Sequence, residues 1–165
     1  MDNFYEQLVT TSKTIKYKTA GIASIVLCIM GILAEVVGQL IPGLIILALA
    51  ALLYYNKKIF YVEYEYTFTN GDVDIDKILE KKKRSKIINF SIKDCELLAP
   101  RNSDYIKDFS NKPQKMLNLY PETYKGTIYT AMITGGANRL QLNFAPDNEF
   151  LQLSFKYNPR GTKIS

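Results

Sequence analysis

The segment from Val62 to Asp76, VEYEYTFTNGDVDID, decides the fold of the second part of this chain. Apolar and aromatic residues alternate with polar ones on both sides of Asn70-Gly71, and this period of two is that of a strand with one buried face. Asn followed by Gly is the strongest two-residue signal for a β-hairpin. The segment therefore predicts two antiparallel strands in which Phe68 lies opposite Val73 on the inner face.

The basic stretch EKKKRSK that follows leads to a third strand. If Lys82-Lys83 forms the second turn, Val73 lies opposite Ile92 on the inner face. The same register pairs Lys93 with Asp72 on the outer face, where opposite charges that face each other stabilise a sheet. We therefore expect the basic stretch to connect two neighbouring strands.

Asp72, Asp74 and Asp76 have the D-x-D spacing with which a calcium-binding loop begins. An EF-hand loop that started at Asp72 would need Gly at position 77 and an acidic residue at position 83, and both positions are Lys. A solvated strand face is the better interpretation, and the sequence predicts no metal site.

The remaining residues predict further short strands and a C-terminal helix. Strand patterns cover residues 116–120, 126–134 and 139–144, and Gly135-Gly136-Ala137-Asn138 predicts a plain turn, since no helix start follows it to form a phosphate-binding loop. Residues 146–157 alternate like a strand but also place apolar residues at helical spacing. Because a helix start precedes them and a Pro follows them, we predict a helix there.

Residues 20–55 form an apolar run interrupted by two polar side chains. One helix of this length would measure about 50 Å, well beyond the roughly 30 Å hydrocarbon core of a membrane. Gly38-Gln39 indicates a tight turn inside the run, so the sequence predicts a transmembrane hairpin of two helices, 20–37 and 40–55. The turn also places Glu35 at the interface, and its alternative role as an ion relay would need a second charged residue within the membrane.

Lysines flank the predicted helical hairpin and are missing from its turn, which places both termini in the cytoplasm by the positive-inside rule. These lysines are Lys13, Lys16, Lys18, Lys57 and Lys58. A cleaved signal peptide is the alternative for the first helix, but no A-x-A site precedes a polar mature start. The sequence therefore predicts a multi-pass protein of the cell membrane.

The residues before the first helix are predicted to be cytoplasmic. Phe4, Leu8 and Ile15 have a loosely helical spacing, typical of a segment that lies on the membrane interface, and a frayed terminus is an equal alternative. The predicted organisation is an N-terminal segment 1–19, a transmembrane hairpin 20–55 and a cytoplasmic β domain 56–165 with a C-terminal helix at about 146–157.

The composition argues against catalysis. The chain has a net charge of +5 and contains no His, which is the commonest general base and metal ligand. Cys28 and Cys95 are too far apart in sequence to form a CxxC motif, and both are expected to be free thiols. We therefore predict neither an enzymatic activity nor a cofactor.

The candidate functional residues are the basic ones near the predicted membrane boundary. The first strand leaves the membrane and the second returns toward it, so the turn that follows the second strand would lie beside the bilayer. Each cation there is worth on the order of 1 kcal/mol near an anionic leaflet. A short basic run without a recognition fold does not indicate nucleic-acid binding. The candidate contacts to anionic lipid are Lys57, Lys58, Lys81, Lys82, Lys83, Arg84 and Lys86.

Two stretches, YEYTFTNGDVDIDKILEKKKRSKIINFSIKDCELLAP and NFAPDNEFLQLSFKYNPR, resemble the bacterial pleckstrin-homology-like (PH-like) domains. The whole chain, including FYEQLV near its start, is similar to a family of small membrane proteins of Gram-positive, clostridial-type bacteria that carry such a domain. The resemblance implies an antiparallel sheet or barrel with a C-terminal helix, and it implies no activity. Eukaryotic PH domains bind inositol phosphates through basic residues around their first hairpin loop, whereas here that loop is Asn70-Gly71 followed by Asp72.

The fold class expected is thus a membrane protein with an α-helical transmembrane hairpin followed by a mainly-β (α+β) domain. Its expected function is that of a non-enzymatic interaction or scaffold module docked on the inner leaflet, with an unknown protein or a second copy as partner. The alternative is a sensor that binds anionic lipid headgroups through the basic turn 81–86.

Overall fold

The computed structural model describes residues 3–110, 113–134 and 139–164. The chain forms two compact units: a helical unit, Thr11–Val62, and a β unit that joins Met1–Thr10 with Glu63–Ser165. The turn predicted at Gly135-Gly136-Ala137-Asn138 lies outside the described residues.

The helical unit is an antiparallel pair of helices. Helix α1 spans Ile15–Val36, helix α2 spans Leu40–Asn56, and a single 3-10 turn, Lys57–Phe60, follows. Helix α1 begins earlier than the predicted residue 20 because Thr14 caps it: the Thr14 hydroxyl oxygen accepts a hydrogen bond from the Tyr17 backbone N–H at 3.1 Å. Between the helices, Gly38 has a φ of 84°, a conformation that Gly adopts without strain.

Small residues allow the two helices to approach closely. A methyl group added at Gly31 would lie 2.7 Å from Leu47 Cγ, and one added at Gly43 would lie 2.6 Å from Glu35 Cγ and 3.1 Å from the Gly31 carbonyl oxygen. Small residues at such crossings are typical of helices that associate in membranes. Glu35 therefore packs against the partner helix and is half-buried.

Most of the apolar surface of this unit is exposed. Two helical stretches, Ile15–Val36 and Leu40–Phe60, are long and apolar enough to cross a membrane, and less than a fifth of each apolar stretch is buried by the protein. A core helix of a soluble domain buries most of its apolar residues, and these helices do not.

The β unit contains a four-stranded sheet with the order β1-β2-β3-β4, formed by Phe4–Val9, Val62–Thr69, Asp72–Leu79 and Lys83–Ser91. Strand β1 pairs antiparallel with β2, from Phe4 opposite Thr69 to Val9 opposite Tyr64. The expectation of an interfacial helix or a frayed segment at the N-terminus is therefore wrong. Tyr5, Gln7 and Val9 alternate along β1 and lie on the same face of the sheet as the inner residues of β2. The spacing of residues in the sequence did not indicate that β2 would be the partner of this segment.

The first β-hairpin has the predicted two-residue turn. Asn70 and Gly71 have φ angles of 53° and 102°, and positive values at both central residues define the type I′ turn that the Asn-Gly signal predicts.

The second turn is displaced from its predicted place. Strands β3 and β4 are joined by residues 80–82, with φ angles of 50° at Glu80 and 58° at Lys81, rather than by Lys82-Lys83. Val73 lies opposite Phe90, not Ile92, and Asp72 lies opposite Ser91, so the predicted pairing with Lys93 is wrong.

The turn of three residues sets the register next to it, and an irregularity in the ladder then shifts the pairing by one further residue. Ile75 lies opposite Ile88 whereas Asp76 lies opposite Lys86, so Ile87 is an extra residue in β4. Such a bulge changes the register without changing the alternation of faces on either side of it.

A second four-stranded sheet has the order β5-β7-β8-β6. Its strands are β5 Cys95–Pro100, β6 Lys115–Asn118, β7 Tyr129–Ile133 and β8 Leu140–Phe144, and the four-residue helix α3, Asp104–Lys107, follows β5. All of its pairs are antiparallel except β6 with β8, which is parallel. The three predicted strand regions in this part of the chain correspond to β6, β7 and β8.

The C-terminal helix α4, Asn148–Tyr157, closes the core between the two sheets. Its N-terminus is capped by Asp147, whose carboxylate accepts a hydrogen bond from the Phe150 N–H at 2.9 Å. Phe150 is fully buried and makes edge-to-face contacts with Tyr66, Phe68 and Phe144 at centroid distances of 5.6–6.2 Å. The predicted antiparallel sheet with a C-terminal helix is thus confirmed.

Strand β1 is tied to the start of α4 as well as to β2. The Tyr5 hydroxyl donates to Asp147 at 2.5 Å, and the Gln7 side chain donates to the Ala145 carbonyl and accepts from the Asp147 N–H. The hydrogen bond to Asp147, together with burial, raises the pKa of Tyr5 to about 12. Strand β1 is therefore part of the folded β unit.

Candidate interaction surface

The outer face of the first sheet carries a cluster of charged residues from β2, β3 and β4. Strand β2 contributes two acids to this face, Glu63 and Glu65, which are only 2% and 5% exposed. The alternating pattern predicts side chains in solvent, but β2 is a central strand, and the side chains of its neighbours cover it. Buried carboxylates require compensating partners.

Arg84 is the main partner of Glu65. Its Nη2 atom lies 2.5 Å from both carboxylate oxygens of Glu65, and its Nε atom lies 3.9 Å from Asp76. The guanidinium thus crosses from β4 over β3 to β2, and this reach is within the length of an Arg side chain. Arg84 is consequently bound into the sheet face, although its side chain remains about half exposed.

Lys86, two residues after Arg84 on β4, also forms an ion pair on this face. Its Nζ atom lies 2.5 Å from Asp74, which also accepts a hydrogen bond from the Asn89 side-chain amide at 2.8 Å. Partial burial acts to raise the pKa of Asp74, but these two hydrogen bonds outweigh it and lower the pKa below its usual value. Asp74 is therefore a carboxylate at neutral pH.

The pKa of Glu65 is shifted in the opposite direction, upward. Burial raises its pKa, a hydrogen bond between its carboxyl group and that of Glu6 on β1 raises it further, and the nearby Arg84 lowers it in part. Two carboxyl groups in contact share a proton more readily than either binds one alone. A proton shared by these two carboxyl groups therefore favours the contact between the side chains of β1 and β2 on this face.

In the part of the chain that the structure describes, the lysines at the start of the basic stretch are unpaired, unlike Arg84 and Lys86. Lys81 and Lys82 lie in the turn, Lys83 is the first residue of β4, and all three are exposed. Within the described residues these three side chains form no ion pair or hydrogen bond. The seven predicted contact residues are thus not equivalent, because these three ammonium groups remain available while Arg84 and Lys86 are engaged.

The remaining two predicted contacts, Lys57 and Lys58, belong to the helical unit. Lys57 Nζ lies 3.8 Å from the centroid of the Tyr54 ring and 5.3 Å from that of Tyr17, and Lys58 Nζ lies 3.4 Å from that of Tyr55. Cation–π contacts of this kind hold the ammonium groups at the end of α2, beside aromatic rings of the type that favours a membrane interface.

The structure supplies no other chemical centre among the described residues. No group of three or more acidic or Cys side chains there is arranged to hold a metal ion. Cys28 is exposed on α1, and Cys95 is buried. Burial, with a smaller effect of Asp94, raises the pKa of Cys95 to about 12, so its thiol is protonated at neutral pH and is a poor nucleophile.

Two features of this surface could not be read from the sequence. The first is the Glu6–Glu65 contact, which depends on the pairing of β1 with β2. The second is the ion pairing of Arg84, which depends on the turn at residues 80–82, because this turn places Arg84 opposite Ile78 and close to Asp76. The only sequence signal for either is the unusual density of acids on β2 and β3.

The family comparison agrees with this architecture. Residues 1–164 match the family described as "Bacterial PH-like domain (DUF6106)". Neither a curated protein nor a solved structure matches the chain. The match includes β1 and the two apolar helices as well as the sheets and α4, so the helices between the first two strands are part of the family pattern. The chain therefore belongs to this family of bacterial PH-like domains.

Proposed function

We propose that this protein is a membrane-anchored, non-enzymatic interaction module whose PH-like domain lies at the cytoplasmic face of the cell membrane. The observation that carries the proposal is the pairing of β1 with β2, in which Val9 lies opposite Tyr64 while the helical unit, Thr11–Val62, is the chain between them. The anchor is thus an insertion within the sheet rather than an extension of the domain.

This pairing has a consequence for topology. Residues opposite each other in an antiparallel ladder have Cα atoms about 4.5–5.5 Å apart, so both strands must lie on the same side of a membrane. The chain between them then crosses the membrane an even number of times, which agrees with two apolar helices. Lysines on both sides of the pair, and none in the residues that connect the helices, favour the cytoplasm for the β unit.

A labelling experiment tests this topology. In a Cys28→Ser background, Gln39→Cys should react with a membrane-impermeant maleimide in intact cells, because it lies between the two helices. Asp72→Cys, at the tip of the first β-hairpin, should react only after the membrane is opened. Labelling of both positions from the same side, or extraction of the protein by alkaline carbonate, would contradict membrane anchoring by two crossings.

The same connectivity supports docking of the domain on the inner leaflet. Because β3 returns from a two-residue turn, residues 80–82 lie at the end of the sheet where β1 ends and β2 begins. From that end of the sheet the chain enters the helical unit after β1 and returns from it into β2. Lys81, Lys82 and Lys83 would then face anionic headgroups, each contributing on the order of 1 kcal/mol.

Hydrogen exchange of residues 79–83 tests this docking. In the full chain in nanodiscs, these amides should be protected with anionic lipid at low salt, and protection should decrease when Lys81, Lys82 and Lys83 are changed to Gln. The matched control changes Lys93, Lys115 and Lys156 to Gln, which removes the same charge from elsewhere on the domain. Equal exchange in anionic and zwitterionic nanodiscs would refute the docking.

A second candidate function, a sensor of anionic headgroups through the basic turn 81–86, is favoured by the three ammonium groups without partners. Arg84 and Lys86 are already paired with Glu65 and Asp74, so the sensor would use mainly the tip of the turn. A sensor requires that exchange in the sheet itself, beyond the turn, changes with the anionic lipid fraction. Protection limited to residues 79–83 would support docking alone.

The non-enzymatic part of the proposal rests on the absence, among the described residues, of a metal-ligating group and of an activated thiol. Photo-crosslinking from positions in the exposed outer face, in native membranes, should capture a discrete partner protein or a second copy. Turnover of any substrate in a broad hydrolase and transferase panel, abolished by one point substitution, would overturn it.

A further inference from the structure

An open polar groove of about 540 Å³ lies at one end of the second sheet. Its walls are the turn at residues 100–102, which follows β5, and the loop at residues 125–128, which precedes β7. It lies entirely within the β unit and shares no residue with the basic turn or the outer face of the first sheet.

The groove exists because two paired strands separate there. Pro100 and Tyr129 form the last pair of the β5–β7 ladder, and the Arg101 N–H donates one further hydrogen bond to the Ile128 carbonyl at 2.9 Å. Beyond this bond the two chains diverge. Gly126 packs against the ring and hydroxyl group of Tyr124, so an added side chain there would require the Tyr124 ring to shift.

The groove is basic. Arg101 and Lys125 are its only ionisable lining residues, one on each wall, and both are exposed. Arg101 Nη1 donates to the Tyr120 hydroxyl at 2.9 Å, which holds the guanidinium in place and leaves its other N–H groups free to bind a ligand. A planar guanidinium that is already oriented binds an oxyanion with little loss of side-chain entropy.

Further donors line the same walls. Within the described part of the chain, the side chains of Asn102, Lys125 and Thr127 take part in no hydrogen bond or ion pair. An amide, an ammonium and a hydroxyl group are thus available to donate hydrogen bonds to a ligand beside the Arg101 guanidinium. A convergence of donors around two cations, with no acid among the lining residues, is complementary to a multiply charged oxyanion.

We propose that this groove binds the phosphate group of a small phosphorylated molecule, with Arg101 and Lys125 as the two charged contacts. The volume is larger than a phosphate ion needs and falls in the range of sites for small organic ligands. The phosphate could belong to a soluble metabolite or to a lipid headgroup, and both offer the same chemistry to the groove. The proposal is independent of the membrane-anchored module proposed above.

Calorimetric titration of the full chain in detergent micelles tests the soluble source, with adenosine diphosphate as the probe and adenosine as its uncharged counterpart. Adenosine diphosphate should bind, adenosine should not, and Arg101→Gln or Lys125→Gln should each weaken binding by about tenfold or more, as expected for loss of one charge-assisted hydrogen bond. Arg160→Gln removes the same charge from an exposed position outside the groove and should leave affinity unchanged.

Hydrogen exchange in nanodiscs that contain phosphatidic acid tests the lipid source. Protection of residues 100–102 and 125–128 by phosphatidic acid, lost in Arg101→Gln and retained in Arg160→Gln, would assign the phosphate to a lipid. Because both basic side chains are exposed, these variants should keep the thermal unfolding midpoint of the unliganded protein. Absence of both responses, or equal losses in Arg101→Gln and Arg160→Gln, would overturn the proposal.

Discussion

The two units of this protein place the same kinds of side chain in opposite surroundings. In the β unit, large apolar residues such as Phe68 and Phe150 are fully buried, whereas in the helical unit Leu33 and Leu44 are 58% and 60% exposed. A contiguous apolar surface of this kind on a soluble monomer marks an interaction with a membrane or a partner. The β unit carries its own core, and the helical unit relies on its environment.

The units also differ in how their elements pack. The β unit fills its core with aromatic rings in edge-to-face contact, while the helices meet through glycines that bring backbone against backbone. Removing a large side chain should therefore damage the first unit, and adding one should damage the second. The experiments below separate these two modes of stabilisation.

Excision of the helical unit should have the largest effect. A chain in which Thr11–Val62 is replaced by Asn-Gly should become water-soluble and keep its sheets, because Thr10 and Glu63 continue a ladder in which Val9 and Tyr64 are already paired. Ultracentrifugation and near-UV circular dichroism measure the outcome. If the chain without residues 1–10 as well kept the same near-UV spectrum, β1 would not belong to the folded unit.

Phe150→Ala should destabilise the β unit by about 3–5 kcal/mol, because it leaves a cavity among the rings of Tyr66, Phe68 and Phe144. Denaturant unfolding of the full chain in detergent, followed by near-UV circular dichroism, measures the loss. The control is Leu33→Ala on the exposed side of α1, with an expected cost under about 0.5 kcal/mol. Similar costs for both variants would contradict the difference between the two units.

Gly31→Leu should destabilise the helix pair by about 1–3 kcal/mol, since the new side chain collides with Leu47. Hydrogen exchange of the α1 and α2 amides reports the effect, and exchange in the sheets should not change. Gly21→Leu is the matched control, because no atom lies within 4 Å of the added Cβ. Both substitutions gain the same helix propensity, so the difference between them measures the packing.

The smallest expected effect is a change in the pH dependence of stability. Because the pKa of Glu65 is raised in the folded state, the native protein binds this proton more tightly than the unfolded chain. The contribution of Glu65 to the free energy of unfolding therefore falls as pH rises from its unfolded value of about 4.3 through the folded pKa. Thermal unfolding between about pH 4 and pH 7 should show this loss, and Glu65→Gln should reduce the slope.

Glu6→Gln separates the two causes of the shift. It removes the neighbouring carboxyl group but leaves Glu65 buried, so it should reduce the slope less than Glu65→Gln does. A slope that is the same in the wild type and in both variants would show that this carboxyl pair does not control the contact between β1 and β2.

Much of the β unit could be predicted because its signals are local. The type I′ turn at Asn70-Gly71 follows from two residues, and the start and end of α4 follow from a capping Asp147 and a terminal Pro. The site was less predictable. The density of lysines indicated a basic surface, but only the observed turn at residues 80–82 brings Arg84 within reach of Glu65.

By itself, the sequence determined the two apolar helices, the C-terminal helix, most of the strands that follow residue 60 and the tight hairpin turn, because each of these depends on neighbours within a few residues. Only the tertiary structure decided that residues 4–9 form the edge strand of the first sheet, and which lysines remain unpaired. Those outcomes depend on contacts between residues far apart in the chain. The sequence of a strand does not identify the strand with which it pairs. An ion pair between strands forms only where the register brings the two charges within reach.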